Sequence, residues 1–350
     1  MKLDEFAAQP SSWLRAGGAF TDVVVSTSAR LSRNVDGYGF VNRAAKFDLE
    51  KLLRETRGAV GEALAAYDAT LFDYSAGSPT SAETRFMLER RLVDSDFSEA
   101  TAPRALLVED NEAFSLMLNG QDHLRFLAHA PGLAAKELWA RLDALDNLVE
   151  SRLRYAFDDN YGYLAANPLN AGTGLNFSVK LHLPGILETG EMTRALRSFK
   201  KVGLEYDLSE GDETPYVITT GALGSSEDEV ASLVDEVIQS LTAYERRARQ
   251  VILDAGRQEF LDRCYRALGI LQTSRIMSLK EARKLLSSLR LGAALNALEG
   301  PSLLDIDQLT LEIYPGHLRM LSIAEGLKPD ETTEDELRAR RLRSRLATLS

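Results

Sequence analysis

Apolar positions along the chain follow two rhythms, and the rhythm changes once. Up to about residue 220, helical and strand patterns are mixed. Residues 22–26 (DVVVS) form a β-branched run that suits a short strand. Over residues 48–66, Leu49, Leu52, Leu53, Val60 and Leu64 share one helical face. The apolar runs at 105–108 and 114–118 flank Glu109 to Ala113 and predict a hairpin. Residues 177–183 alternate with period two and stop at Pro184, as a half-buried strand does. Tyr216 to Thr220 reads as another strand, closed by Gly221. These strands follow one another without a helix between every pair. The expected class is therefore α+β, an antiparallel sheet flanked by helices.

After Gly224 the strand rhythm disappears. Ser226 and Glu229 form a capping box, and Val230, Leu233, Val234, Val237, Ile238 and Leu241 follow at helical spacing. A second box, Ser278 to Glu281, opens a helix expected to stop at Gly292. A third, Thr333 to Glu336, opens the last helix. That helix carries Arg338, Arg340, Arg341, Arg343 and Arg345, and its pairing of Glu334 and Glu336 with Arg338 and Arg340 predicts a solvated face. The expected organisation is a sheet-bearing domain over 1–245 and an all-helical C-terminal domain over 255–350. The boundary falls inside or just after a long connecting helix.

Composition narrows the function classes. The 350 residues are 45% hydrophobic and 27% charged, ordinary values for a folded protein. The net charge of −11 speaks against nonspecific nucleic-acid binding. One cysteine, Cys264, cannot form an intrachain disulfide and fits a reducing compartment. His123, His129, His182 and His317 show no zinc-ligand spacing, so no metal site is expected from them. The start has no basic segment followed by an apolar one, and no apolar run of about 18 residues exists. A cytoplasmic protein that does not engage membranes is expected.

Three segments point to chemistry. Ser26-Thr27-Ser28-Ala29-Arg30-Leu31-Ser32-Arg33-Asn34 resembles the S-S-R-x-R-L-x-R-N strand exit of the phosphagen (guanidino) kinases. Residues 119–125 (NGQDHLR) resemble their N-E-E-D-H-L-R. Gly162-Tyr163-Leu164 followed by residues 167–174 (NPLNAGTG) resembles their G-Y-L and C-P-T-N-x-G-T-G. By these ordered motifs the chain is identified as a member of that family, and it is most similar to the bacterial protein-arginine kinases. The resemblance implies the family's catalytic-lobe fold, ATP with Mg²⁺ as donor, a protein substrate or partner, and a homodimer built on the helical domain. It also implies phosphate binding by the retained Arg30, Arg33 and Arg125; Lys180 is a further phosphate-binding candidate, and Asp122 and Asp207 are the carboxylates available for catalysis. Arginine suits phosphate because its planar fork donates bidentately and stays charged.

The match degrades where the chemistry is done. The glutamates of N-E-E-D are Gly120 and Gln121, the cysteine of C-P-T-N is Asn167, and the first arginine of S-S-R-x-R is Ser28. Asn176 and Val202 stand where two further arginines are expected, and Arg91 stands where the family has a histidine near the nucleotide base. Each lost charge-stabilising donor costs about 10²–10³ in rate. The expectation is a protein-arginine-kinase-like chain with weak or lost phosphotransfer and a binding or regulatory role in protein quality control. The alternative is an active kinase with a rearranged site, in which Lys180, Lys200, Lys201, Asp122 and Asp207 supply what is missing.

Overall fold

The computed structural model describes residues 2–75, 77–195, 204–207, 216–219, 225–326 and 333–348, with the backbone alone at 206–207 and 216–219. Ten strands are present among them: β1 Val24–Arg33, β2 Ala69–Tyr74, β3 Arg104–Glu109, β4 Phe114–Leu118, β5 Leu124–Pro131, β6 Phe157–Asp158, β7 Gly162–Tyr163, β8 Leu175–Leu181, β9 Leu204–Asp207 and β10 Tyr216–Thr219. Eight form one sheet in the order β2-β3-β4-β5-β1-β8-β10-β9, and every pairing is antiparallel. The sheet half also holds α1 Leu3–Ala7, α2 Lys46–Ala63, α3 Ser81–Glu89, α4 Ser95–Glu99, α5 Ala135–Glu150 and α6 Pro184–Glu188. The expected antiparallel sheet flanked by helices is thus present.

One face of β1, β5 and β8 is apolar. Ala29, Leu31, Phe126, Ala128, Phe177 and Val179 pack there against α2, α5 and the first turns of α7 (Glu227–Thr273). The hairpin end is covered on the other face by α1, α3 and α4, where Phe6, Phe86, Met87 and Phe97 meet Leu106, Val108 and Met117. The other face of the central strands is polar.

The last hundred residues are helical: α8 Leu279–Ala294, α9 Leu303–Glu312, α10 Pro315–Ala324 and α11 Glu334–Ala347 follow α7. Ser226 and Thr333 close full capping boxes, whereas Ser278 caps α8 by accepting from the Glu281 amide alone. The backbone of α7 is non-helical at Gly256. Gly292 does not stop α8. It lies inside the helix, at a point where a Cβ would come within 2.5 Å of Leu298 Cδ1 and 3.1 Å of Cys264 Sγ.

The helical half is fastened onto the sheet half. Glu89, at the end of α3, accepts from the amides of Gly316 and His317 at 2.8 and 2.9 Å, and Met320 and Leu321 join the cluster around Phe86. The arginine run of α11 is solvated only in part: Arg340 is exposed, but the other four are engaged. Arg338 is buried and donates to the carbonyls of Ile313 and Met277, Arg341 and Arg345 reach Glu312, and Arg343 donates to the Ser274 carbonyl. Carbonyls left open at neighbouring helix ends are acceptors that local spacing does not reveal.

All four histidines are buried, and each has its pKa lowered, with burial the leading cause. His129 is pushed down to about 3 from 6.5. The folded state therefore binds fewer protons than the unfolded chain below pH 6.5, so stability is full above that pH and declines as pH falls toward 3. Thermal melts should show a lower midpoint at pH 5 than at pH 7.5, and His129→Gln should shrink that difference. An unchanged difference would contradict the burial of a neutral imidazole. Gly316→Ala should lower the denaturation midpoint by about 1–3 kcal/mol of stability, because its Cβ would meet Phe86 N at 2.5 Å. Gly269→Ala, in open space on exposed α7, should instead leave stability equal or raise it by up to about 1 kcal/mol.

Candidate active site

Strand β1 runs through the S-T-S-A-R-L-S-R segment rather than ending before it, so Arg30 and Arg33 lie within the strand and not past it. The strand can carry them because it is central and paired on both sides, with each side chain assigned to a face by the period of two. Ser26, Ser28 and Arg30 share the polar face. Opposite them stand Lys180, Ser178 and Asn176 on β8, and His129 and Leu127 on β5, with Arg125 opposite Ser32.

Arg33 falls on the other face. Its guanidinium donates to Asp146 of α5 from Nε at 2.9 Å and from Nη2 at 2.7 Å, and lies 3.6 Å from the centroid of the Tyr163 ring. Its Nη1 donates to the carbonyls of Ser32 and Thr173. The glycine-rich turn thus wraps Arg33. Gly174 (φ +69°) packs where a Cβ would lie 2.5 Å from the Ser32 carbonyl oxygen.

Arg125 is ringed by carboxylates. It pairs with Asp94 and Asp96 through Nη1 and with Asp122 through Nη2 at 2.9 Å, and Nη2 also donates to Gln121 at 2.7 Å. Burial lowers its pKa, and the Asp94 and Asp122 charges more than reverse this. Asp122 is itself inaccessible. Its Oδ1 accepts from Asn34 Nδ2 at 2.9 Å and from the Ala166 amide at 2.8 Å, and its Oδ2 accepts from Arg125. Burial pushes its pKa up, and Arg125 with these hydrogen bonds outweighs burial, leaving the carboxyl lowered. A carboxylate so held stays ionised and is a weak base.

Arg30 stands beside this cluster with a different balance. Its buried Nε has no hydrogen-bond partner among the described residues. Burial lowers its pKa, followed by the like charge of Arg125, against Asp94, Asp122 and Asp96. Guanidinium remains charged under such shifts, so Arg30 is a cation with an open donor on the polar face.

Arg91 has the left-handed φ of 62° and reaches over the same face. Its Nη1 donates to Ser26 Oγ at 2.9 Å and lies 3.3 Å from Ser28 Oγ, and its guanidinium lies 4.3 Å from the Trp13 ring centroid. His129 bridges its carbonyl to Ser28: Nε2 lies 2.8 Å from Arg91 O, and Nδ1 2.8 Å from Ser28 Oγ. Beyond Ser26, the polar face opens into a cleft of about 790 Å³ that Lys180 and Arg91 also line.

The remaining expected residues separate. His123 is structural, with Nδ1 accepting from the Val35 amide and Nε2 facing the Gly39 carbonyl. Asn167 caps the 3₁₀ turn at Pro168–Asn170. The backbone places Asp207 opposite Tyr216, which pairs with Lys180, while its side chain lies outside what is described. Lys200, Lys201, Val202 and Glu210 lie outside the described residues. The structure therefore gathers Arg30, Arg125 and Asp122 at one end of the polar face and Lys180 at the other, and sets Arg33 apart. Sequence reasoning missed Asp94 and Asp96. Asp94 caps α4 by accepting from the Phe97 amide, and its D-S-D-F context reads locally as a helix start and nothing more. No group of three or more His, Cys, Asp or Glu among the described residues is arranged to hold a metal, and no described helix is long and apolar enough to cross a membrane.

Comparison with known proteins assigns this architecture. Residues 56–248 match the family profile of the ATP:guanido phosphotransferase C-terminal catalytic domain, and residues 257–350 match the protein-arginine kinase McsB C-terminal domain. A protein-arginine kinase of Symbiobacterium thermophilum is 32% identical over 344 residues, covering 96% of this chain and 97% of that protein. One from Brevibacillus brevis is 32% identical over 355 residues, covering 99% and 98%. Among solved structures, lombricine kinase superposes with a TM-score of 0.56 at 20% identity, over 71% of this chain and 73% of that one. The substrate-free duplicated taurocyamine kinase of Schistosoma mansoni gives 0.55 at 21% identity over 69% of this chain, which spans 34% of that longer protein. The structural likeness speaks for the fold, and the full-length sequence likeness for the lineage. The chain belongs to the ATP:guanido phosphotransferase family, as a relative of the bacterial protein-arginine kinases.

Proposed function

We propose that this chain keeps the nucleotide- and protein-binding scaffold of a protein-arginine kinase while its phosphoryl transfer to guanidino nitrogen is weak or lost, and that it works as a binding or regulatory protein in protein quality control. The observation that carries this reading is the state of Arg125. Phosphoryl transfer is catalysed mainly by positioning and by neutralising phosphate charge. A cation already faced by Asp94, Asp96 and Asp122 has little field left for a phosphate, and those carboxylates repel the incoming anion. Asp122, saturated by three donors, is poorly suited to take a proton from a guanidinium. ATP is the ligand that the family relationship brings. Arg30, Arg91 and Lys180 are the cations best placed to meet its phosphates, and Arg33 serves the fold.

A second reading has one observation behind it. The Arg91 guanidinium lies over the hydroxyl of Ser28, so a charge delivered from another element stands where the family motif has an arginine. An active kinase with a rearranged site would use it.

Transfer from γ-labelled ATP to an arginine-rich protein, scored as acid-labile label, separates the two. The favoured reading expects a rate at least about a hundredfold below that of an active relative assayed alongside. A comparable rate that disappears in Arg91→Ala would overturn it in favour of the second. Calorimetric titration with ATP should show affinity falling about tenfold in Arg30→Ala, the expected cost of one charge-assisted contact. An unchanged affinity would remove Arg30 from the phosphate site.

A further inference from the structure

A concentration of cations lines the cleft beyond Ser26. Among the described residues its cations come from both halves of the chain: Arg91 and Lys180 from the sheet half, and Lys280, Arg283, Lys284 and Arg290 from α8. Two carboxylates line it as well, and both are engaged. Glu89 accepts from the amides of Gly316 and His317, and Asp307 pairs with Arg290 at 2.7 Å. This cationic lining runs against the net charge of −11 carried by the chain. A cleft lined by one sign between low-dielectric walls focuses its potential on a ligand of the opposite sign.

The lining between the two cationic walls is apolar, with Trp13, Leu286, Leu311 and Tyr314. Both walls are fixed. On the sheet side, the left-handed backbone of Arg91, its stacking on Trp13 and its bond to Ser26 set the direction of the guanidinium. On the helical side, Ser287 Oγ lies 2.8 Å from His182 Nε2, and Arg290 donates to the carbonyls of Thr21 and Asp22 at 2.8 and 2.9 Å. These buried bonds hold α8 against the ends of β1 and β8, so the separation of the walls belongs to the fold. A complementary ligand has an apolar, flat body with anionic groups at two places, and a nucleoside phosphate of ordinary type has them at one.

We propose that this cleft, which shares Arg91 and Lys180 with the ATP site proposed above and rests on that reading, binds a nucleotide phosphorylated on both its 5′ and its 3′ side, with one phosphate group met by Arg91 and Lys180 and the other by Lys280, Arg283 and Lys284. The ligand bridges the two halves of the chain. Binding here is read without turnover, so an absence of phosphoryl transfer leaves it intact.

Adenosine 3′,5′-bisphosphate and ADP carry the same number of phosphates in different places, and calorimetry on the full chain compares them. The bisphosphate should bind about tenfold tighter, as expected for one additional charge-assisted contact. Lys280 and Lys284 are exposed, so K280E/K284E should fold normally, as a thermal melt would verify. That variant should lose the preference for the bisphosphate, whereas Arg30→Ala should keep it. ADP binding as tightly as the bisphosphate, no binding of either, or a preference that survives K280E/K284E would each overturn the proposal.

Discussion

The structure depends on β1 being buried at the centre of the sheet. Paired with β5 on one side and β8 on the other, the strand has no freedom of register, and a slip of one residue would exchange Arg30 for Leu31 on the polar face. That constraint divides the two arginines that a motif reading puts together. Arg30 and Arg33 are three residues apart, an odd number, so a strand must send them to opposite faces. Asp146 on α5 and the ring of Tyr163 receive Arg33, and the polar face keeps Arg30. The candidate site is therefore smaller than the motif suggests: it is built around Arg30 and Arg125, whose buried Nε atoms both lack a hydrogen-bond partner among the described residues, with Arg125 surrounded by acids as well.

Much of the fold is legible in the chain because it rests on periodicity. Leu49, Leu52, Leu53 and Val60 bury one face of α2, residues 105–108 and 114–118 pair as a hairpin, and the period-two run ending at Pro184 is β8. The capping residues Ser226, Ser278 and Thr333 each open a helix. What was not legible depends on partners distant in sequence. The polar letters of S-T-S-A-R-L-S-R look like a strand exit until β5 and β8 supply hydrogen bonds on both sides. The α11 arginines look solvated until Ile313, Met277 and Glu312 appear beside them. Gly292 looks like a stop because its need for space comes from Leu298 and Cys264, not from its backbone.

The same limit explains the site. Gln121 and Asp122 are adjacent to Arg125 in the motif and in space, but Asp94 and Asp96 arrive from about thirty residues upstream on a short helix whose capping role hides them. Substitution by substitution, the sequence reports losses at Ser28, Gly120, Asn167 and Asn176. The structure adds that a surviving cation is neutralised from outside the motif, and that Arg91 brings a guanidinium to Ser28 from another element. Glu89, His182 and Arg290 fasten the helical half to the sheet that carries these residues.

Under the proposed function, Asp94 and Asp96 occupy the field of Arg125 in place of phosphate. The most direct measurement is the calorimetric affinity for ATP in the natural chain and in D94N/D96N. Asparagine caps a helix as well as aspartate does, so α4 is preserved while two negative charges are removed. ATP should bind about tenfold tighter to the double variant, as expected for a buried cation released toward its ligand. Equal or weaker binding would contradict it and return Arg125 to the phosphate-binding set as it stands.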